Sequence, residues 1–167
     1  VAIGATLNDG NGNNNSGHVR IYQLDEDDEW QQLGNDIDGE TAEDRSGYSI
    51  SLSSDGSKVA ISGKLNAGNG TNSGHVRIYQ LDENNAWQQL GNDIDGEESN
   101  DQSGYSISLS SDGSRVAIGA PFNDGNGTNS GHVRIYQLDE NEEWQRLGDD
   151  IDGETGTYHG WSVSLSS

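Results

Sequence analysis

Cysteine and methionine are absent from the 167 residues, and proline occurs once, at Pro121. No disulfide can form, so cysteine usage leaves the redox compartment unread. Basic residues are scarce: eight Lys+Arg stand against 29 Asp+Glu, a net charge of −21. Such a surface repels nucleic acid and anionic membrane, and neither is expected as a partner. It suits exposure to salty or calcium-bearing water, where self-repulsion is screened. Plain solubility is the alternative role for the acid. Hydrophobic residues make up only 29%, a composition that alone leans toward disorder. No apolar run approaches the roughly 18 residues of a membrane helix, and no signal peptide is recognisable. The chain opens inside one strand pattern and stops inside another, as expected of a piece of a longer repetitive polypeptide.

What is abundant is repetition. NAGNGTNSGHVRIYQLD at residues 66–82 recurs at 8–25 and 123–139, and Val1 recurs as Val59 and Val116. Units of 57–58 residues follow: 1–58, which lacks its first strand, 59–115, and 116–167, which ends in the first strand of a further unit. A fixed period points to stacked units that share a thin core. One full unit, taken from Ser46, shows the pattern. Tyr48, Ile50 and Leu52 alternate with serines over 47–53, the period of a strand. Asp55-Gly56 marks a hairpin turn into a second strand at 59–63. A third strand spans 75–81, with Val76 and Ile78 on one face and Arg77 and Tyr79 on the other, and a fourth is centred on Trp87. No window carries helical periodicity. Four short antiparallel strands per unit predict an all-β chain of β-propeller-type blades, with an open stack of hairpins as the alternative.

SGYSISLSSDGSRVAIGAPFNDG at 103–125 resembles the FG-GAP-type repeat of integrin α-subunit propellers, with Gly104, Ser106, Gly119, Ala120 and Pro121 in matching places. GHVRIY, WQQLG and DIDGE also resemble tandem repeats of large secreted proteins of marine microbes. The resemblance implies an extracellular or cell-surface location and a propeller. Two features depart from it. The family's Asp-rich calcium loop is shortened to Ser-Asp-Gly-Ser, and Gly-Ala-Pro is complete only in the third copy.

Candidate calcium ligands are the alternating carboxylates of the connectors: Asp36, Asp38 and Glu40, then Asp93, Asp95 and Glu97, then Asp150, Asp152 and Glu154. In an extended segment they share one side, and Ca²⁺ seeks several carboxylate oxygens. The bland reading is a solvated acidic linker. The loops at Asn8, Asp9 and Asn11 and at Asn123, Asp124 and Asn126 offer oxygens too, but Ala67 replaces the Asp in the second copy, and Asn and Gly suit tight turns in any case. Asn14, Asn69 and Asn126 begin N-x-Ser/Thr glycosylation acceptors, one per repeat. His18, His75 and His132 recur once per unit, which favours a repeated structural hydrogen bond. Trp30, Trp87 and Trp144 are expected to pack between blades. No nucleophile–base constellation stands out, so no enzymatic activity is expected. The favoured reading is an extracellular structural or adhesive repeat module whose partners are further copies of the repeat, in cis or as a homo-oligomer or filament. The alternative is a propeller face that recognises protein or glycan with calcium dependence.

Overall fold

The computed structural model describes residues 1–9 and 12–166. The fold is nearly all β: no helix of two or more turns forms among the described residues, as the absence of helical periodicity predicts. Three antiparallel sheets follow one another along the chain. The first contains β1 (Ala2–Ala5), β2 (His18–Leu24), β3 (Trp30–Gln32) and β4 (Ile37–Asp38). The second contains β5 (Ser46–Leu52), β6 (Lys58–Gly63), β7 (His75–Leu81), β8 (Trp87–Gln89) and β9 (Ile94–Asp95). The third contains β10 (Ser106–Leu109), β11 (Arg115–Ala120), β12 (His132–Leu138), β13 (Trp144–Arg146) and β14 (Ile151–Asp152).

Within each sheet the hairpins run in sequence order, as in a propeller blade. The pairs Ile50↔Ile61 and Leu52↔Val59 set the β5–β6 register. The acidic connector adds a fifth, two-residue strand that the sequence pattern does not reveal. Ile37, Ile94 and Ile151 fold back to pair with Val19, Val76 and Val133. Residues 161–166 form no strand, although the alternation there predicts one; Ser167 lies outside the described residues. The segment still runs beside β10, where the Leu165 amide donates to Ser108 Oγ at 3.0 Å. Ile107 and Leu109 amides reach Ser49 and Ser51 Oγ in the same way at 3.1 and 2.9 Å. The alternating serines therefore stitch the first strand of one blade to the first strand of the next.

Two cores lie between the sheets. Val19, Ile21 and Ile37 meet Val59, Ile61 and Tyr79 across the first junction. Ala60, Val76, Ile78, Leu90 and Ile94 meet Ile107, Leu109, Val116 and Ile118 across the second. Successive residues of β6 and β7 point to opposite cores, so the middle blade is buried on both faces. This is how 29% hydrophobic residues suffice: each apolar row serves a neighbour as well as its own sheet.

Candidate functional site at the blade junctions

Each junction is built first from backbone. The end of the Asn-rich loop runs alongside the connector that leaves the same blade. Ser46, Ser103 and His159 amides donate to the Ser16, Ser73 and Ser130 carbonyls at 2.8–2.9 Å. Gly39, Gly96 and Gly153 amides donate to the Gly17, Gly74 and Gly131 carbonyls at 2.8–2.9 Å. This close approach explains the glycines. A Cβ at Gly39, Gly96 or Gly153 would fall on the Ser16, Ser73 or Ser130 carbonyl oxygen. The Trp side chains complete the contact: Trp87 and Trp144 Nε1 donate to the Leu33 and Leu90 carbonyls, both at 2.9 Å. That is the inter-blade packing expected of them. Trp30 has no preceding sheet and is 59% exposed.

Ion pairs lie at the start of the third strand. Arg20 grips Asp36 through Nε and Nη2 at 2.8–3.0 Å, within one blade. Arg77 reaches across the junction to Glu40 (3.2 Å) and to the Asp38 carbonyl (3.1 Å). Arg134 bridges Glu97 of the preceding blade and Asp150 of its own, the latter at 2.6 and 2.8 Å. Beside them, His18 and His75 Nδ1 stand 3.7 and 3.5 Å from Asp36 and Asp93. The guanidiniums beside Asp36 and Asp150 hold those carboxyls below the usual range, and His75 does the same for Asp93. Burial lowers the His132 pKa, so the neutral imidazole is favoured. Burial also pushes the Tyr79 hydroxyl up to about 12.

This geometry redistributes the candidate calcium ligands. Asp36, Asp38 and Glu40 do not converge on one point. Glu40 joins His75 and Asp93 of the next blade, and Glu97 joins His132 and Asp150, with ligand atoms within 4.8 Å of one another in each group. Two carboxylates and an imidazole suit a borderline ion such as Zn²⁺ better than all-oxygen Ca²⁺. The guanidinium of Arg77 or Arg134 already supplies positive charge at each of these places. Asp38, Asp95, Asp152 and Glu154 make no side-chain hydrogen bond or ion pair among the described residues. At the shortened turn, Asp55 takes its donors from Ser53 Oγ (2.6 Å), the Ser57 amide (3.0 Å) and Ser57 Oγ (2.9 Å), and is held down to about 2. Serine hydroxyls there surround the carboxylate that the family's loop would offer to calcium.

The acceptor asparagines belong to the junction too. Asn69 Nδ2 donates to the Gly96 and Glu97 carbonyls, and Asn126 Nδ2 to that of Gly153. The extra residue of the first loop changes the alignment. Counted back from Gly17 and Gly74, Asn14 takes the place of Thr71, and Asn13 binds the Glu40 carbonyl as Asn69 binds that of Glu97. Asn14 donates instead to Glu43 at 2.7 Å. In the loop at Asn8, Asp9 and Asn11, Asp9 Oδ1 accepts from the Asn15 amide, and Asn11 lies outside the described residues.

Sequence reasoning missed Asp44 and Asp101. Both are buried, 1% and 4% exposed, and accept from Asn66 and Asn123 Nδ2 of the following blade at 3.2 and 2.8 Å. Their signal is present in the sequence: an Asp and an Asn at fixed positions flank the first hairpin of each complete blade. The other omission is an aromatic row. Tyr48, Tyr105 and Trp161 stand on successive blades with ring centroids 5.3 and 4.6 Å apart, and Lys64 Nζ lies 3.6 Å from the Tyr48 centroid.

Comparison with known proteins bears on this architecture. No curated protein sequence matches significantly. Among solved structures, a provisionally assigned 6-phosphogluconolactonase from Bacteroides uniformis is similar at a TM-score of 0.56 and 19% identity, over 83% of this chain and 35% of that one. A periplasmic gluconolactonase from Pseudomonas aeruginosa gives a TM-score of 0.47 and 14% identity, over 89% of this chain and 38% of that one. The chain thus spans little more than a third of the length of the structures it matches, and the likeness is one of fold. It corrects the expectation that the chain is no enzyme: the Bacteroides neighbour, alike in fold, is named for an enzyme. The resemblance read from the sequence is borne out where it is most complete: residues 94–136, from the connector through the Gly-Ala-Pro segment to the third strand, match the FG-GAP repeat.

Proposed function

We propose that the chain is a β-propeller-type module of an extracellular protein, in which the repeated blades form a rigid, acidic structural or adhesive surface. The observation that carries this reading is the recurrence of the junction contacts: the Ser46–Ser16 and Ser103–Ser73 backbone bonds, the Trp hydrogen bonds and the Arg–Glu pairs recur between sheets one and two and between sheets two and three. Uniform junctions serve extension, whereas a single evolved site makes blades diverge. FG-GAP repeats, which residues 94–136 match, are typical of extracellular proteins. Glycans on Asn14, Asn69 and Asn126, all exposed, would extend this surface. Antibody labelling of intact producing cells tests the location. Surface signal without permeabilisation is expected; signal only after permeabilisation overturns the reading.

A second reading, recognition of glycan or protein, draws on the row of Tyr48, Tyr105 and Trp161, since aromatic faces stack on apolar ligand surfaces. A glycan array probed with and without calcium tests it.

A further inference from the structure

One place in the middle blade breaks the repetition. Arg45 precedes β5 and Lys64 follows β6, and the pair Ser46↔Gly63 sets both at the same end of one hairpin. The backbone there is copied from blade to blade. Arg45, Gln102 and Tyr158 have φ 56°, 52° and 54°, and their amides donate to the Asn15, Asn72 and Asn129 carbonyls. Only the side chains differ: Gln102 and Tyr158 stand in the place of Arg45, and Thr6 and Pro121 in the place of Lys64. Both cations are half-buried, yet neither forms an ion pair among the described residues, whereas Arg20, Arg77, Arg134 and Arg146 all do. The Arg45 Nε has no hydrogen-bond acceptor among the described residues. Burial lowers the Lys64 pKa, Tyr105 raises it, and the nearby charge of Arg45 lowers it further. Acids to match this pair are plentiful in a chain of net charge −21, and none is placed there. Aromatic rings are placed there instead. Lys64 Nζ lies 3.6 Å from the Tyr48 centroid and 4.8 Å from that of Tyr105, and the two rings are 5.3 Å apart.

We propose that Arg45 and Lys64, with the rings of Tyr48 and Tyr105, bind an acidic sugar, a glycan unit that carries a carboxylate or a sulfate. This rests on the glycan-recognition reading and names its ligand class. A carboxylate or sulfate accepts charge-assisted hydrogen bonds from guanidinium and ammonium, and its charge relieves the repulsion between the two cations. The C–H face of the sugar ring lies on the tyrosines. A neutral sugar would leave the cations unmatched, and an acidic peptide would bring no flat apolar face to the rings. The acid elsewhere on the surface does not forbid this, because its repulsion is screened beyond about 8 Å at physiological salt. The equivalent place on the third blade keeps aromatic rings in Tyr105, Phe122 and Trp161 but has Gln102 and Pro121 for the cations. The chain therefore holds one such site, in the blade where the repeats diverge.

Exchange with the sister blades tests this. Arg45→Gln and Lys64→Thr install residues that the same backbone already carries at Gln102 and Thr6, so the fold is kept. Wild type and both variants are titrated calorimetrically at physiological salt with short oligomers of galacturonate, of sulfated galactose and of uncharged galactose, and with a glutamate peptide of equal length. Saturable binding of an acidic oligomer at one site per chain is expected, weakened about tenfold or more in each variant, as loss of one charged hydrogen bond implies. The uncharged oligomer and the peptide should bind more weakly than the acidic sugar. The tighter of the two acidic oligomers identifies the group as carboxylate or sulfate. Wild-type affinity in both variants overturns the proposal, and so does a peptide that binds more tightly than either acidic sugar. Equal binding of the uncharged oligomer overturns it but leaves glycan recognition standing. Binding of no sugar at all overturns both.

Discussion

Gly91 and Gly148 occupy the same place in successive repeats, with φ 74° and 76°, yet only Gly91 has a blade against it. Alanine at either position meets left-handed backbone strain of about 1–2 kcal/mol, which cancels in the comparison. At Gly91 the new methyl also meets Trp144 Cδ1 at 2.8 Å and the Glu142 carbonyl oxygen at 2.9 Å. Overpacking of that kind costs about 1–3 kcal/mol. If Trp144 swings aside, its 2.9 Å hydrogen bond to the Leu90 carbonyl is lost as well, about 0.5–1.5 kcal/mol more. Gly91→Ala should therefore be less stable than Gly148→Ala by about 1–4 kcal/mol, at about 2–4 °C per kcal/mol for a chain of this size. The assay is thermal unfolding followed by tryptophan fluorescence in dilute solution. Equal losses, or a larger loss at Gly148, would refute the reasoning that the junction tryptophan sets the cost.

The other expectations are more briefly stated. Arg134→Met leaves Glu97 without its cation and Asp150 with Arg146 alone, and should lower the urea-derived stability by about 1–3 kcal/mol. Arg134→Lys should recover only part of that loss, because it lacks the fork that holds Asp150. The folded-state pKa values of Asp36, Asp93 and Asp150 are depressed, so the stability these groups confer is present above about pH 4 and is lost as pH falls through their folded values. Urea midpoints measured from pH 7 to pH 3 should fall more in wild type than in Asp150→Asn. Glu43 sits at φ 68°, where the third repeat has Gly156 at φ 74°; Glu43→Gly relieves about 1 kcal/mol of left-handed strain but gives up the exposed hydrogen bonds from Asn14 and Asn15, so the urea-derived stability should change by less than about 1 kcal/mol. Chelation tests the calcium expectation: with Arg77 and Arg134 already among the converging carboxylates, EDTA should leave the melting temperature unchanged. A clear fall would put the ion back on the connectors.

The period, the strand class and the hairpins were legible because they depend on local alternation and on turn residues such as Asp55-Gly56. The fifth strand was not, because Ile37–Asp38 is too short to show a period and gains its identity only by pairing with His18 and Val19. The candidate site was legible in its residue types but not in its partners. Asp36, Asp38 and Glu40 do alternate along the connector, but three carboxylates of one segment repel one another. Arginines relieve that repulsion, and Glu40 finds its arginine on the next blade, 37 positions further along the chain.

That distance explains why one repeat cannot be read alone. HVRIYQL occurs in β2, β7 and β12 with the same seven residues, yet its arginine side chain is 45%, 6% and 10% exposed in turn. The alternation places Arg77 on the face opposite Val76 and Ile78, and in an ordinary two-layer sheet that face is wet. Here the preceding blade covers it, so the polar face becomes a second buried face and its arginine must be matched by an acid from elsewhere. An isolated blade would leave both faces open, and at least one neighbour is needed before the charge pattern is satisfied. What the repeat encodes is therefore the junction as much as the blade.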